Sequence, residues 1–281
     1  MSNQEKLAVT GVTGQLGGMV AGNLDAAGVP FLPVLRSPSR SPEFAARGAR
    51  AAEYDDREAA VRALEGVETL LMVSASENAD RVNQHRTFVD AAAEAGVGHV
   101  VYTSFLGAAP DCVFTLGRDH WATEEHIRAS GMKFTFLRDS LYLDFLPMMA
   151  GVDGVIRGPA GDGKLGAVTR SDVARVATTV LVSPDDHAGE TYGLTGPEAV
   201  TLGEVAAILT ESTGRKITYL DETLDEAYAS RAKYEAPDWQ VDAWVSTYTS
   251  IAEGELELVT GDVEKVTGQA PLSLRDYLDQ G

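Results

Sequence analysis

The chain has little that could cross-link it or anchor it in a membrane. It contains one cysteine, Cys112, among 281 residues, which excludes an internal disulfide and a cysteine-based metal cluster. No apolar run reaches the roughly 20 residues that span a bilayer. Residues 1–6 are polar and lack the apolar core of a signal peptide. We therefore expect a cytoplasmic protein without membrane contact.

Basic residues are scarce as well. The chain has 23 lysines and arginines against 42 aspartates and glutamates, a formal net charge of -19 at pH 7. Because nucleic-acid binding needs a basic face, we expect no nucleic-acid partner. Of the five histidines, His99, His126 and His187 are scattered without the spacing of metal ligands, so the sequence predicts no metal. No G-x-S-x-G elbow supports a serine hydrolase.

What the chain does have is a glycine-rich turn near its start. Gly11, Gly14 and Gly17 follow a short apolar run at residues 7–9 and open a segment, 15–27, with helical spacing. Such glycines permit a tight turn, close approach of a pyrophosphate, and close packing of helix on strand. The helix N-terminus would then offer its amide groups to the phosphates. The sequence predicts a dinucleotide-binding turn; the alternative is a purely structural one.

A second strand, predicted at residues 31–35, ends in Arg36-Ser37-Pro38-Ser39-Arg40. In a dinucleotide fold this strand end faces the adenosine ribose, where an acid binds the 2′-hydroxyl and an arginine accommodates a 2′-phosphate. Here there is no acid, and the arginine fork suits a phosphate. We therefore expect NADP(H) rather than NAD(H), the alternative being a solvated basic loop.

Strands and helices alternate as far as residue 138. Further strands are predicted at 49–54, 68–73, 99–103 and 134–138, with helices at 57–64, 79–95 and 116–130. This alternation predicts an α/β fold, a Rossmann-type doubly wound parallel sheet ordered 3-2-1-4-5-6. We expect residues 1–140 to form the dinucleotide-binding domain. Residues 141–281 are expected to form a smaller C-terminal α/β lobe that lines the substrate cleft, with some return of the chain to the main sheet.

Within that lobe the pattern is looser. Residues 151–169 are rich in glycine and predict loops and edge pieces. Helices are predicted at 171–183, 224–234 and 239–253, and strands at 191–194 and 217–220. Thr201 followed by Glu204 is a capping-box pattern, which predicts a helix ending near Gly214.

The ends of the other strands offer candidate ligand contacts, because ligands of open α/β sheets bind at the carboxyl ends of strands. Glu53 would lie near the adenine edge, with a solvated carboxylate as the alternative. Ser74-Ala75-Ser76 are small enough for a ligand to lie across them.

Together these residues resemble the NmrA-like group of atypical short-chain dehydrogenase/reductases, and within it the NADPH-dependent type-2 quinone oxidoreductases. The resemblance covers nearly the whole chain. The glycine turn is common to a superfamily, whereas other shared pieces are narrower: Ser74-Ala75-Ser76-Glu77, Gln84-His85-Arg86, Tyr102-Thr103-Ser104, Asp119-His120-x-x-Thr123-Glu124, Leu137-Arg138-Asp139-x-x-Tyr142, Ala160-Gly161-Asp162-Gly163-Lys164 and Thr169-Arg170-x-Asp172-x-Ala174.

The resemblance implies a set of residues that line the NADPH site. They are Gly11, Thr13, Gly14, Gln15, Leu16, Gly17, Arg36, Val73, Ser74, Ala75, Thr103, Ser104 and His120. Glu53, placed from its strand end alone, completes the predicted cofactor contacts. The chain departs from the family at Asp139, where the family carries asparagine, and at Leu141-Tyr142, where it carries an aromatic pair. Since these positions should face nicotinamide and substrate, the substrate could differ.

One catalytic motif is missing. Typical short-chain dehydrogenases use Tyr-x-x-x-Lys, whose lysine lowers the pKa of the tyrosine so that it acts as general acid. None of the nine tyrosines here is followed by lysine four residues later. Reduction of an ordinary ketone gives a basic alkoxide that needs such an acid. Reduction of a quinone gives a delocalised anion that can take its proton from water. The absence favours direct hydride transfer to a quinone or another conjugated acceptor, without flavin.

His120 and Tyr142 are the candidate catalytic residues. His120 falls where the missing lysine would act, and could bind the nicotinamide ribose or stabilise a developing anion. A helix-surface histidine is the alternative. Tyr142 and Phe145 could stack on a flat acceptor, or only pack in a core. The predicted substrate contacts are Phe105, Asp139, Tyr142 and Phe145. His85 is interpreted as a structural histidine.

The sequence thus predicts an NADPH-dependent reductase of quinones or similar small conjugated acceptors, present as a monomer or homodimer. Two alternatives stay open. The first is an NADP(H)-sensing regulator that binds the dinucleotide without turnover. The second, a sugar-nucleotide epimerase or dehydratase, is less favoured because those enzymes depend on the tyrosine/lysine pair.

Overall fold

The computed structural model describes residues 6–280 as two compact units. The first unit contains the chain up to Ser104 together with Trp121–Arg138 and Val173–Tyr192. The second contains Phe105–His120, Asp139–Asp172 and the chain from Gly193 onward.

The strands, in chain order, are β1 Leu7–Thr10, β2 Leu32–Leu35, β3 Arg50–Ala51, β4 Thr69–Met72, β5 His99–Phe105, β6 Lys133–Asp139, β7 Val155–Gly158, β8 Lys164–Leu165, β9 Thr191–Leu194, β10 Val200–Thr201 and β11 Thr218–Asp221. The α-helices are α1 Gln15–Ala26, α2 Pro42–Ala46, α3 Arg57–Leu64, α4 Arg81–Glu94, α5 Thr115–Ala129, α6 Leu146–Met149, α7 Arg170–Val182, α8 Leu202–Thr213, α9 Leu224–Arg231, α10 Asp238–Ala252, α11 Asp262–Thr267 and α12 Leu274–Asp279.

Seven strands form the main sheet, in the order β3-β2-β1-β4-β5-β6-β9. The pairs β1/β2, β1/β4, β2/β3 and β4/β5 are parallel. The predicted Rossmann-type order 3-2-1-4-5-6 is confirmed, and β9 adds a seventh strand beside β6. In such a sheet strands are added outward on one side of β1 and then, from β4 onward, on the other side. Ligands bind at the carboxyl ends of the strands where this strand order reverses, between β1 and β4.

The core of the first unit explains why its strands could be recognised. In β4, Leu70, Leu71 and Met72 are all fully buried, as expected for a parallel strand covered on both faces. Helices α3 and α4 contribute residues such as Leu64 and Phe88 to the same hydrophobic cluster. The continuous apolar run in the sequence therefore reflects burial on both faces of β4.

The second unit has its own hydrophobic cluster, which includes Ile156, Leu165, Leu209 and Ile251. Its strands form two small two-stranded sheets, a parallel pair β7/β11 and an antiparallel pair β8/β10. The capping box predicted at Thr201 is present and begins α8, which ends at a left-handed Gly214. The segment predicted to be helical at 224–234 ends as an α-helix at Arg231 and continues as a single 3-10 turn.

Several short elements were not predicted: α2, α6, α11 and α12. They have four to six residues each, too few for a periodic pattern to stand out. In the described part of the chain, no helix combines the length and apolar character needed to cross a bilayer.

Candidate functional site

The glycine turn is built so that backbone lies against backbone. Gly11 has a φ of 67°, and its carbonyl accepts a hydrogen bond of 2.8 Å from the N–H of Gly14. A Cβ on Gly17 would lie 2.2 Å from the Gly11 oxygen. Helix α1 therefore starts directly on the turn. Its N-cap, Gly14, has no side chain to occupy the first amide groups, which leaves a setting suited to an anion.

A cavity of about 590 Å³ adjoins this turn within the first unit. Eleven of the predicted cofactor contacts line it: Gly11, Thr13, Gly14, Gln15, Leu16, Gly17, Arg36, Glu53, Val73, Ser74 and Ala75. Ser76, expected as part of the small strand end that a ligand crosses, lines it as well. The other lining residues were not predicted as ligand contacts: Thr10, Val34, Leu35, Ala52, Tyr54, Asp55, Glu77, Asn78 and Gln84. The volume lies in the range of small-molecule and cofactor sites.

Beside this cavity Tyr54, which follows β3, is hydrogen-bonded to the ends of β1 and β4. Its hydroxyl donates to the Val73 carbonyl at 2.6 Å and lies 2.7 Å from Oγ1 of Thr10. The N–H of Val73 in turn donates to the same Thr10 oxygen at 2.9 Å. Burial raises the pKa of Tyr54 above its usual range, so the hydroxyl stays a donor. These bonds fix the ends of β1 and β4, where the ligand contacts are predicted.

Arg36 and Glu53 both line the cavity, whereas Arg40 is exposed and does not. Neither arginine pairs with a carboxylate among the described residues, although the protein is strongly acidic. A guanidinium that has no carboxylate partner and borders the cavity is free to pair with a phosphate.

Thr103 and Ser104, also predicted to contact the cofactor, hold other parts of the protein. Thr103 Oγ1 accepts a hydrogen bond of 2.8 Å from the N–H of Ser74. Ser104 Oγ donates to Oε1 of the buried Glu124 at 2.6 Å, and Arg138 binds both oxygens of that carboxylate at 2.8 and 2.7 Å. Their contact with a cofactor stays a prediction.

In the second unit the structure brings Asp139 and Tyr142 together. The tyrosine hydroxyl donates to Oδ2 of Asp139 at 2.7 Å, while Oδ1 is buried without a hydrogen-bond partner among residues 6–280. Burial raises the pKa of Asp139 to about 8, against a smaller lowering by the Tyr142 hydrogen bond. At neutral pH the carboxyl is therefore protonated. Since Oδ2 accepts from Tyr142, the proton belongs on Oδ1, which makes Oδ1 a donor.

Charged groups surround the Tyr142 ring. The guanidinium of Arg170 lies over the ring, 4.3 Å from its centroid, and the backbone N–H of Arg170 donates to Asp144 at 2.9 Å. Burial raises the pKa of Tyr142 well above its usual value, and Asp139 raises it further. Tyr142 is thus a neutral hydroxyl whose proton is already committed to Asp139.

The other predicted catalytic and substrate residues are placed in the second unit as well. His120 is buried, not on the helix surface, and its ring stacks on Phe105 with centroids 6.1 Å apart. Phe105 also contacts Phe114 at 4.7 Å. Phe145 is 45% exposed, so it is not a core residue. Its exposed ring is available to contact a flat molecule.

The described residues fit a dinucleotide and show no arrangement for a metal. The turn exposes backbone where a diphosphate would approach, and the adjoining cavity is bordered by an arginine without a carboxylate partner. Among residues 6–280 there is no group of three or more histidine, cysteine, aspartate or glutamate side chains that could hold a metal ion.

The model of the NmrA-like family matches residues 3–236. The chain belongs to the NmrA-like family. It is 34% identical to quinone oxidoreductase 2 of Escherichia coli over 278 residues, covering 96% of each protein. It is 32% identical to an NAD(P)H azoreductase of Xenophilus azovorans, again over 96% of each. The crystal structure of the E. coli quinone oxidoreductase with NADPH matches with a TM-score of 0.88 over 98% of this chain and 99% of that one.

Proposed function

We propose that this NmrA-like protein is an NADPH-dependent oxidoreductase that reduces a quinone or a similar conjugated acceptor directly, without flavin or metal. The observation that carries the proposal is the bare glycine turn opening onto a cavity bordered by Arg36. Similarity to a quinone oxidoreductase and an azoreductase over almost their whole lengths supports it.

In the first unit, the chain's task is to bind and orient. The turn at Gly11 and the start of α1 would hold the diphosphate with backbone amide groups. Arg36 would pair with the 2′-phosphate, and Glu53 would lie beside the adenine. Bound NADPH supplies the hydride from its nicotinamide ring. Thr103 and Ser104 of the first unit, together with His120 of the second, complete the proposed set of cofactor contacts.

We propose that the acceptor contacts Phe105, Asp139, Tyr142 and Phe145 of the second unit. We also propose residues 1–140 as the cofactor domain and residues 141–281 as the substrate-binding lobe. Asp139 would lie beside the acceptor as a neutral acid, and because its Oδ1 is buried, it would donate to an acceptor oxygen only after the side chain turns towards the acceptor. Tyr142 would hold that carboxyl in place, and His120 would stabilise negative charge. We further propose a cytoplasmic monomer or homodimer that acts on a small molecule and binds neither membranes nor nucleic acid.

Mixing the pure protein with NADPH and a panel of quinones, azo dyes and simple ketones tests the proposal. We expect loss of NADPH absorbance with the conjugated acceptors and little with simple ketones. Calorimetry with NADPH and NADP⁺ completes the test. Binding that discriminates between the two forms, without turnover of any acceptor, would point to a redox-sensing regulator instead.

Replacing Arg36 with alanine should weaken NADPH binding far more than NADH binding. A charge-assisted bidentate bond to the 2′-phosphate would be lost, worth about 1.5–3 kcal/mol or roughly 10- to 100-fold in Kd. Calorimetric Kd values for both nucleotides measure the effect. Arg40→Ala is the matched control, because Arg40 is exposed outside the cavity and should leave both values unchanged. Equal losses for NADPH and NADH in Arg36→Ala would remove the reason for assigning the phosphate form.

A further inference from the structure

Side chains bind both backbone hydrogen-bonding groups of Ala75, in the loop between β4 and α4. The N–H of Ala75 donates to Nε2 of His85 at 2.9 Å, and its carbonyl accepts from Nε of Arg81 at 2.9 Å. His85 is fully buried and Arg81 nearly so. Ala75 itself lines the cavity. Helix α4 therefore holds a part of the cavity wall through two side-chain hydrogen bonds to the loop that precedes it.

The backbone bond decides which nitrogen of His85 carries the proton. A peptide N–H can only donate, so Nε2 must accept with its lone pair, and the single proton of a neutral ring must sit on Nδ1. Nδ1 lies 2.9 Å from Oγ1 of Thr123, which is also fully buried. The ring thus links a backbone group at the cavity to a hydroxyl on α5.

The ring is also held in its neutral form. Burial lowers the pKa of His85 to about 3, and the nearby charge of Arg81 lowers it further. A doubly protonated ring would present an N–H to the N–H of Ala75 and break the contact. The Tyr102 hydroxyl also approaches Nδ1, at 3.5 Å, so two hydroxyl oxygens lie beside the nitrogen that carries the proton.

The adjacent residue is held in the same manner, by the bond from Ser74 N–H to Thr103 Oγ1. Two successive amide groups of this loop are therefore fixed by buried side chains. Such a loop has one defined shape before any ligand binds, which reduces the entropy that binding must overcome.

We propose that His85 is a positioning residue for the cofactor cavity: its Nε2 holds the Ala75 N–H in the position that accepts the dinucleotide, and Thr123, which accepts from Nδ1–H, keeps the ring in place. This inference rests on the proposed function for the identity of the ligand. It assigns a role to a histidine that the sequence pattern alone suggested was only structural.

The tautomer can be measured without the cofactor. Nitrogen-15 NMR of the imidazole ring should show a neutral His85 with protonated Nδ1 and unprotonated Nε2 throughout pH 5–9. In Thr123→Val, which keeps the shape of the side chain, the tautomer should stay the same, because the Ala75 N–H still needs an acceptor at Nε2. The Nδ1–H proton should lose its hydrogen bond to the hydroxyl, which moves its proton resonance upfield. Protonation at Nε2 in the wild-type protein would overturn the inference.

Binding of NADPH provides the second readout. Losing one neutral hydrogen bond corresponds to roughly a fivefold rise in Kd, which we expect for Thr123→Val. His85→Leu should show a larger rise, and His85→Gln, which retains an acceptor, a partial recovery. Thr178→Val is the matched control, because the Thr178 hydroxyl bonds only the Ala174 carbonyl of its own helix at 2.7 Å. Its Kd should stay at the wild-type value.

The outcomes separate this inference from the proposed function. Wild-type protein that binds no NADPH would refute both. Wild-type protein that binds NADPH, with Thr123→Val and His85→Leu binding it equally tightly, would refute the inference alone. If His85→Leu does not fold, the result for Thr123→Val decides. A steady-state KM for NADPH that rises while kcat is maintained would agree with a positioning role.

Discussion

Alanine at Gly17 should raise the Kd for NADPH roughly 10- to 100-fold, the equivalent of about 1.4–2.8 kcal/mol and within the usual cost of overpacking. Its Cβ would lie 2.2 Å from the Gly11 carbonyl oxygen and 2.5 Å from the carbonyl carbon. Both atoms are backbone, so no flexible side chain can give way. The turn must shift away from α1, and its amide groups then no longer converge on a diphosphate. Calorimetry with NADPH measures the loss.

Gly22 offers a matched control on the same helix, because a Cβ there would meet nothing within 4 Å. Gly22→Ala should bind NADPH with unchanged affinity and gain about 1 kcal/mol of helix stability. Thermal unfolding of both variants separates a local change at the turn from a loss of fold. If Gly17→Ala binds NADPH as tightly as Gly22→Ala, the diphosphate does not rest against this turn.

The turn and the sheet could be predicted because their signals are local. Gly11, Gly14 and Gly17 lie within seven consecutive residues, and the apolar runs that became β4 and β5 are continuous since both faces of those strands are covered. The order of strands followed from general rules for connections between parallel strands. Local sequence therefore carried the part of the site that binds phosphate.

The remainder of the cavity depends on contacts between residues far apart in the chain. Tyr54 is the last residue of the strand predicted at 49–54, and nothing in the sequence indicates that its hydroxyl bonds Thr10 and Val73 in the folded chain. His85 was predicted to be a structural histidine, because no sequence pattern indicates that it hydrogen-bonds both Ala75 and Thr123. Sequence patterns indicate burial; they do not indicate which polar group is buried beside which.

The protonation state of Asp139 likewise could not be predicted from the sequence. An aspartate at a strand end is ordinarily ionised, and the sequence predicted only that it would face the substrate. Burial together with a single hydrogen-bond partner, Tyr142, keeps it protonated. A neutral acid at this place changes what the second unit can do, because it donates a hydrogen bond where a carboxylate could only accept one.

This state makes the stability of the protein depend on pH in a defined direction. The pKa of Asp139 rises from an ordinary 3.8 to about 8 in the folded protein. Between these values the folded protein keeps a proton that the unfolded chain has released, so folding loses stability as pH rises, by about 1.4 kcal/mol per pH unit. Asp139→Asn, which cannot ionise, should lack this loss, and it should become steadily more stable than the wild-type protein from pH 4 to pH 8.

Urea unfolding at several pH values measures the difference between the two proteins. The charged groups near the pair, Arg170 and Asp144, are present in both, so their own contributions cancel in the comparison. Asp153→Asn is the matched control: Arg157 lowers the pKa of that exposed carboxyl from 3.8 to about 2, so above about pH 5 it is ionised in both the folded and the unfolded chains. Its difference from the wild-type protein should therefore stay nearly constant from about pH 5 to pH 8. A constant difference for Asp139→Asn as well would mean that Asp139 is ionised in the folded protein, and a donor role for Oδ1 would then be lost.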